Sequence, residues 1–254
     1  MTPRSTFVRA LLAVAALAAF TGAALADQLD EVRAAKKVRI GIDLGSPPFG
    51  MTDAQMNPTG SEVETARLLA RDLGVELEIV QTTGANRIPL LQTGKADLVI
   101  SSLSITAERE KVIDFSTPYA SIQSVVAGPK AIAVKSFADL AGKRVATARG
   151  TTNDRLATEG AKGAQIARFD DDATLVTAIT SGQVELFATS PALVKAVAAK
   201  APAQGIEVKF VMQSFPLGVG LRKGEPKLQT WVNQWVARNT GNGKLGEIQK
   251  RFHD

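Results

Sequence analysis

The feature that most constrains this chain is a run of short strand patterns alternating with helix patterns, interrupted once and then resumed. In the first series Lys37 to Ile42 reads as a strand. Ser61 and Glu64 have capping-box spacing, and a helix follows with apolar positions Val63, Ala66, Ala70 and Leu73 before Gly74 stops it. Val75 to Val80 alternates apolar and acidic residues as a half-buried strand does, Asn86 to Thr93 is a short helix ended by Gly94, and Asp97 to Ser101 is a buried strand. The rhythm returns after Gly142. Strands at Arg144 to Thr147, Ile166 to Phe169 and Val184 to Ala188 alternate with helices from Thr151, over Thr174 to Ser181 and over Pro191 to Lys200. Such alternation predicts parallel sheets covered on both faces. Extended stretches, Tyr119 to Val126 and Val211 to Leu221, flank the second series, and a last long helix runs from Leu228 to Thr240. The expected fold class is therefore α/β: two open, mostly parallel sheets joined by two crossover strands. Residues 27–121 and 217–254 form lobe 1 and residues 122–216 form lobe 2.

The first 26 residues stand outside this pattern. Arg4 and Arg9 form a basic n-region, Ala10 to Phe20 is unbroken and apolar, and Ala24-Leu25-Ala26 is a small-x-small cleavage site, so Asp27 is the expected mature start. The apolar run is shorter than the ~20 residues of a spanning helix. Removing the segment takes away two arginines and no acid, which lowers the formal charge from +5 to +3. That charge, with no Lys/Arg-rich block, excludes a nucleic-acid signature. With no cysteine, neither a disulfide nor a lipid-anchored cysteine is available, and a periplasmic monomer is expected.

Enzymatic machinery is thin. The one histidine, His253, stands next to the C-terminus, where disorder is common, so Ser-His triads, Cys-His pairs and ordinary zinc sites are excluded. No cofactor is expected. Gly241-Asn242-Gly243-Lys244-Leu245-Gly246 matches G-x-G-x-x-G but follows a helix, not a strand, and reads as a helix–helix turn. Asp170-Asp171-Asp172 precedes a helix and reads as capping. Trp231 and Trp235, four apart on the last helix, read as core. The informative segment is Ser101 to Arg109. Hydroxyls, free backbone N–H groups and an arginine converge where a buried strand gives way to a helix capped by Thr106. Open α/β sheets bind ligands at that end of their strands, and arginine's fork matches a carboxylate. Spacing alone leaves an ordinary turn with a surface arginine equally open.

The whole mature chain resembles the amino-acid-binding periplasmic solute-binding proteins of ABC transporters, bacterial solute-binding protein family 3. The marks are Pro47-Pro48-Phe49; Gly60; Leu90-Leu91-Gln92-Thr93-Gly94-Lys95-Ala96-Asp97; Ser104-Ile105-Thr106 with Arg109; Asp114-Phe115-Ser116 with Pro118-Tyr119; Asp139-Leu140 with Gly142-Lys143; Gly150-Thr151-Thr152; and Gly243-Lys244-Leu245. The resemblance implies a bilobal periplasmic-binding-protein type II fold that closes on one amino acid and hands it to an ABC permease. It assigns Arg109 to the α-carboxylate, Ser102 and Ser104 to carboxylate and ammonium, Thr151 and Thr152 to the carboxylate from lobe 2, and Asp43, Ser46 and Ser61 to the side-chain pocket. Asn86 to Leu91 resembles glutamate/aspartate-binding members, which sets Arg87 against a distal carboxylate.

The chain departs from the family pattern in three ways. The lobe 2 aspartate that neutralises the ammonium is Ser190 here, clamping aromatics are replaced by Ser46 and Ser61, and an arginine of glutamate/aspartate binders is Asp43. Counting Arg87, Arg109 and Asp43 gives a site charge of +1, which favours a small polar or acidic amino acid; Ser190 keeps a carboxylate without an ammonium as the alternative. A dehydratase of the cyclohexadienyl type on the same scaffold would need a buried acid, for which Glu62 and Asp43 are the candidates.

Overall fold

The structure is a computed structural model and describes residues 27–253. Residues 1–26, where a signal segment is expected, and Asp254 lie outside the described residues. The chain opens with α1 (Gln28–Ala35), β1 (Lys37–Ile42), a hairpin of β2 (Met51–Thr52) and β3 (Pro58–Thr59), α2 (Ser61–Leu73), β4 (Glu76–Gln81), α3 (Arg87–Gln92), β5 (Leu98–Val99), α4 (Ala107–Glu110) and β6 (Asp114–Phe115). It continues through β7 (Ala120–Pro129), β8 (Arg144–Ala148), α5 (Thr152–Gly160), β9 (Gln165–Phe169), α6 (Asp172–Thr180), β10 (Leu186–Thr189), α7 (Pro191–Lys200) and β11 (Ile206–Leu217). It ends with β12 (Gly220–Leu221), α8 (Pro226–Gly241) and α9 (Lys244–His253).

Two five-stranded sheets result, ordered β4-β1-β5-β12-β6 and β11-β7-β10-β8-β9. The strands of each βα series pair in parallel: β1 with β4 and β5, and β8 with β9 and β10. The remaining pairings are antiparallel, because the chain leaves and re-enters the second unit on neighbouring strands. β7 and β11 run side by side from Ala120–Leu217 to Pro129–Ile206, and β12 returns between β5 and β6. Both sheets are therefore mixed, with the parallel half set by the strand–helix alternation.

Packing follows the period-two rule of strands. In the second lobe Val125, Ala127, Ala146 and Phe187 face one buried cluster, while their chain neighbours Val126, Val145, Leu186 and Ala188 face another. In the first lobe Val38, Ile40, Ile42, Leu98 and Ile100 pack beneath α2 and α8, and Val99 joins Leu91, Leu103, Ile113 and Phe115 on the other face. Trp235 is fully buried in the first of these clusters and its Nε1 donates to Asp72 at 2.9 Å, which confirms the core reading; Trp231 packs at its edge. Asn242 caps α8, so the glycine-rich segment is indeed a helix–helix turn.

Two local expectations are corrected. Ser61 is not an N-cap. Gly60 holds that position at φ 121, and the Ser61 and Glu62 amides donate to the carbonyls of Pro48 and Phe49 at 3.1 and 2.9 Å. A neighbouring loop thus satisfies the helix end, and a Cβ on Gly60 would lie 2.3 Å from the Phe49 oxygen. His253 is not frayed: it ends α9, 4.7 Å from the Phe49 ring centroid, with Nε2 3.0 Å from Ser61 Oγ. Among the described residues no helix is long and apolar enough to cross a membrane.

Candidate functional site

Between the lobes lies a small cavity. Its walls are mainly strand ends and helix starts, with Ile122 and Ser124 of β7 beside them. In the second lobe β8 delivers Thr151, Thr152 and Asn153 at the start of α5, β9 delivers Asp172 at the start of α6, and β10 delivers Thr189 and Ser190 at the start of α7. The first lobe contributes Asp43 and Ser46 after β1, Gly84 and Arg87 at the start of α3, and Ser101, Ser102 and Ser104 after β5. Every one of these segments is the carboxyl end of a strand or the loop that follows it, the place where α/β sheets leave backbone donors unpaired.

The caps explain the local folding. Thr151 accepts from the Asp154 amide at 3.1 Å and donates to the Ala148 carbonyl at 2.8 Å. Ser190 accepts from the Leu193 amide at 3.3 Å, so its hydroxyl is engaged as a helix cap. Asp171 closes a capping box with Thr174, as the acidic run predicted; its neighbour Asp172 turns into the cavity, where Oδ2 accepts from Ser46 Oγ at 2.7 Å.

On the first lobe Ser102 is held in the left-handed region at φ 43, a conformation that costs a non-glycine residue of order 1 kcal/mol. It is clamped from both sides. Its amide donates to Glu62 Oε1 at 3.2 Å, and Arg87 Nη1 reaches the carbonyls of Ser101 and Ser102 at 2.8 and 3.4 Å. Arg87 Nε donates to the Gly84 carbonyl at 3.1 Å. Arg87 is only 5% exposed, lines the cavity, and makes no ion pair among the described residues. Asp43 is 8% exposed; Oδ1 accepts from the Gly45 amide at 2.9 Å, while Oδ2 accepts nothing among the described residues.

Burial sets the electrostatics. It pushes the Asp43 carboxyl up to about 6, only partly offset by the Gly45 hydrogen bond, and it raises Asp172 as well. Glu62, behind the wall, is pushed up to about 7 by the same desolvation, against the bonds from the Tyr119 hydroxyl (2.7 Å) and the Ser102 amide. Arg109 is pushed down to about 9, first by burial and then by Arg87 and Arg155.

The residues singled out in the sequence do not all meet. Arg87, Asp43, Ser46, Ser102, Ser104, Thr151, Thr152 and Ser190 line the one cavity. Arg109 stands at its margin. Its Nη1 donates to the Ser104 carbonyl at 2.9 Å and Nη2 reaches the Gly150 carbonyl of the other lobe at 3.4 Å, and it lines a second cavity that shares Thr151 and Thr152 with the first. Ser61 lines neither, because the first turn of α2 aims it at His253. The sequence reading missed Asp172 and Asn153. Asp172 was legible only as the residue that follows a strand, and its acidic run has a sufficient account in capping.

A model of the bacterial extracellular solute-binding proteins, family 3, matches residues 38–254. The chain belongs to this family. L-cystine-binding protein TcyJ of Escherichia coli (strain K12) is 28% identical over 95% of this chain and 92% of its own length. ABC transporter glutamine-binding protein GlnH of Bacillus subtilis (strain 168) is 28% identical over 89% and 84%. Among solved structures, the ancestral amino acid-binding protein AncCDT-1, a precursor of cyclohexadienyl dehydratase, superimposes with a TM-score of 0.81 at 34% identity, covering 89% of this chain and all of that one. The P235GK mutant of ArgBP from T. maritima gives 0.82 at 31% identity, covering 88% and 98%. The bilobal type II fold and the family expected from the motifs are thus both found.

Proposed function

We propose that this member of the family is an exported receptor that encloses one small polar amino acid between its lobes and presents the closed form to an ABC importer. The observation that supports this most is a cavity walled by both lobes whose charges balance. Arg87 and Arg109 stand against Asp43 and Asp172, with hydroxyls between them. Asp172 lowers the earlier count of +1 to zero, so a net-neutral zwitterion suits the site better than a dicarboxylate or a cation. In this reading Arg109, Ser102, Ser104 and the α5 start at Thr151 and Thr152 take the α-carboxylate, where a helix N-terminus adds donors and positive potential. Arg87 and Ser46 face the polar end of the ligand.

The protein works by binding and not by catalysis. Of the two acids on which a dehydratase would rest, Glu62 is spanned by Tyr119 and Ser102 and is not among the cavity-lining residues, while Asp43 lines the cavity and in this reading faces the charge of the ligand. The lobes, 27–121 with 217–254 and 122–216, hinge where β7 and β11 pass between them. Export follows cleavage before Asp27 into the periplasm, where the protein acts as a monomer.

A thermal-shift screen of the common amino acids and small organic acids tests the ligand class, since a ligand at about 100 times its dissociation constant adds roughly 2.7 kcal/mol to stability. Neutral polar amino acids should stabilise most. Stabilisation confined to lysine, arginine and histidine, or to carboxylates without an amine, would refute the reading. N-terminal sequencing of periplasmic material should begin at Asp27.

A further inference from the structure

We infer that Asp172 receives the ammonium group of the ligand, in place of the charge that Ser190 lacks, and so determines the preference of the site for an amine-bearing ligand. This rests on the amino-acid reading above and names the residue on which it turns.

An ammonium brings three donors into the cavity and needs acceptors for them. Ser190 offers none of the required charge, and its oxygen already caps α7. Asp172 offers a carboxylate that makes no ion pair among the described residues; Ser46 occupies Oδ2, and Oδ1 accepts nothing. Two further acceptors line the same cavity. Asp43 Oδ2 is unengaged on a side chain that is 8% exposed, and Asn153 Oδ1 is fully buried without a partner. Ser46 ties Asp172 to the loop that carries Asp43, and a Cβ on Gly45 of that loop would stand 3.3 Å from Asp43 Oδ1 and 3.2 Å from the Ala173 Cβ. The start of α6 and the Asp43 loop are therefore neighbours across the cleft.

A buried carboxylate, Asp43, and a half-buried one, Asp172, facing one small cavity with a single buried cation, Arg87, are costly unless a further positive charge joins them. Arg87 is itself occupied by three backbone carbonyls. The missing cation is the ligand's amine. Because Asp43 and Asp172 belong to opposite lobes, an amine held between them favours closure as well as binding.

The test compares D172N with wild type and with D171N, which alters only the α6 cap. D172N keeps an acceptor for Ser46 and removes the charge alone. The probes are the tightest binder among the twenty common amino acids and cystine, and the same molecule with hydrogen in place of the amine, both measured by titration calorimetry. D172N should weaken the amino acid by about 30-fold or more and the des-amino acid by less than about 3-fold, while D171N changes neither. Equal loss for both probes, or no loss for either, would overturn the assignment. If wild type binds no amino acid, the functional reading itself fails, and that result is separate from a wild type that binds and a D172N that binds equally well.

Discussion

Two arginines reach the cleft from the same lobe, and their surroundings predict opposite phenotypes on truncation. Arg87 is 5% exposed and donates to the carbonyls of Gly84, Ser101 and Ser102 at 3.1, 2.8 and 3.4 Å. Arg87→Ala leaves those carbonyls without a donor and strips the counter-charge from Asp43 and Asp172. Removing one partner of a buried charge pair in direct contact costs about 3–5 kcal/mol, which is an upper bound here because Arg87 is in contact with neither carboxylate. These carboxylates border a cavity that admits water, and both can take up a proton, so about 2–4 kcal/mol is expected. In a domain of this size each kcal/mol moves the melting temperature by roughly 2–4 °C, which gives a fall of about 5–15 °C. Arg109 is half-buried and makes one short bond, to the Ser104 carbonyl at 2.9 Å. Arg109→Ala should cost under about 1 kcal/mol of fold stability, the net value of a single hydrogen bond, yet weaken the ligand by about 2–5 kcal/mol. Calorimetric unfolding of both variants without ligand, followed by titration with the best ligand of the thermal screen, measures the two effects. If Arg109→Ala melts as early as Arg87→Ala, or if Arg87→Ala melts like wild type, then burial and carbonyl bonding do not separate the structural arginine from the ligand-gripping one.

Three further outcomes are expected. Gly84→Ala places a Cβ 2.9 Å from Thr151 Cγ2 and 3.2 Å from the Arg149 carbonyl of the other lobe, so it should wedge the cleft open: small-angle scattering should show no compaction with ligand, while the melting temperature of the apoprotein stays within a few degrees of wild type. Glu62 titrates near 7 folded against its ordinary 4.5, so the folded state holds the extra proton between those values and stability falls as pH rises through that window, by at most about 1.4 kcal/mol per unit; Glu62→Gln should flatten the slope in denaturant titrations at pH 5, 6 and 7. Asp27→Ala removes the acceptor of the Leu29, Lys227 and Leu228 amides, which caps α1 and α8 together, and should cost about 1–2 kcal/mol by urea unfolding.

What could be read in advance was what a local period encodes. β1 and α7 fall on the predicted spans to the residue, because alternation and a Ser190-Pro191 start are local signals. Long-range satisfaction was invisible. The α2 start looks like a capping box, yet Pro48 and Phe49 supply its acceptors from a preceding loop. Asp27 caps α8 across 201 residues of sequence. The site shows the same division. Residues at strand ends could be placed in the cleft from topology, and most of them line it. Where a side chain turns was not encoded locally: Asp171 and Asp172 are identical in type and adjacent, and only the direction of α6 makes one a cap and the other a cavity wall.

The contacts across the cavity also say what the ligand must do. Among the described residues that line it, Ser46 to Asp172 at 2.7 Å is the one bond of full strength between the lobes; Arg109 to the Gly150 carbonyl at 3.4 Å and Ser104 to Thr152 at 3.5 Å are at the limit of hydrogen bonding. One neutral-to-charged hydrogen bond and two marginal ones contribute little, of order 1–3 kcal/mol together. Moving a two-state hinge from mostly open to mostly closed takes about 5.5 kcal/mol of differential binding. Two or three charge-assisted bonds to the second lobe, at about 1.5–3 kcal/mol each, supply that difference. The second lobe offers them from the start of α5 to an anion and from Asp172 to a cation. A ligand with only one of the two charges reaches half of them, so it should bind the first lobe and leave the hinge largely open.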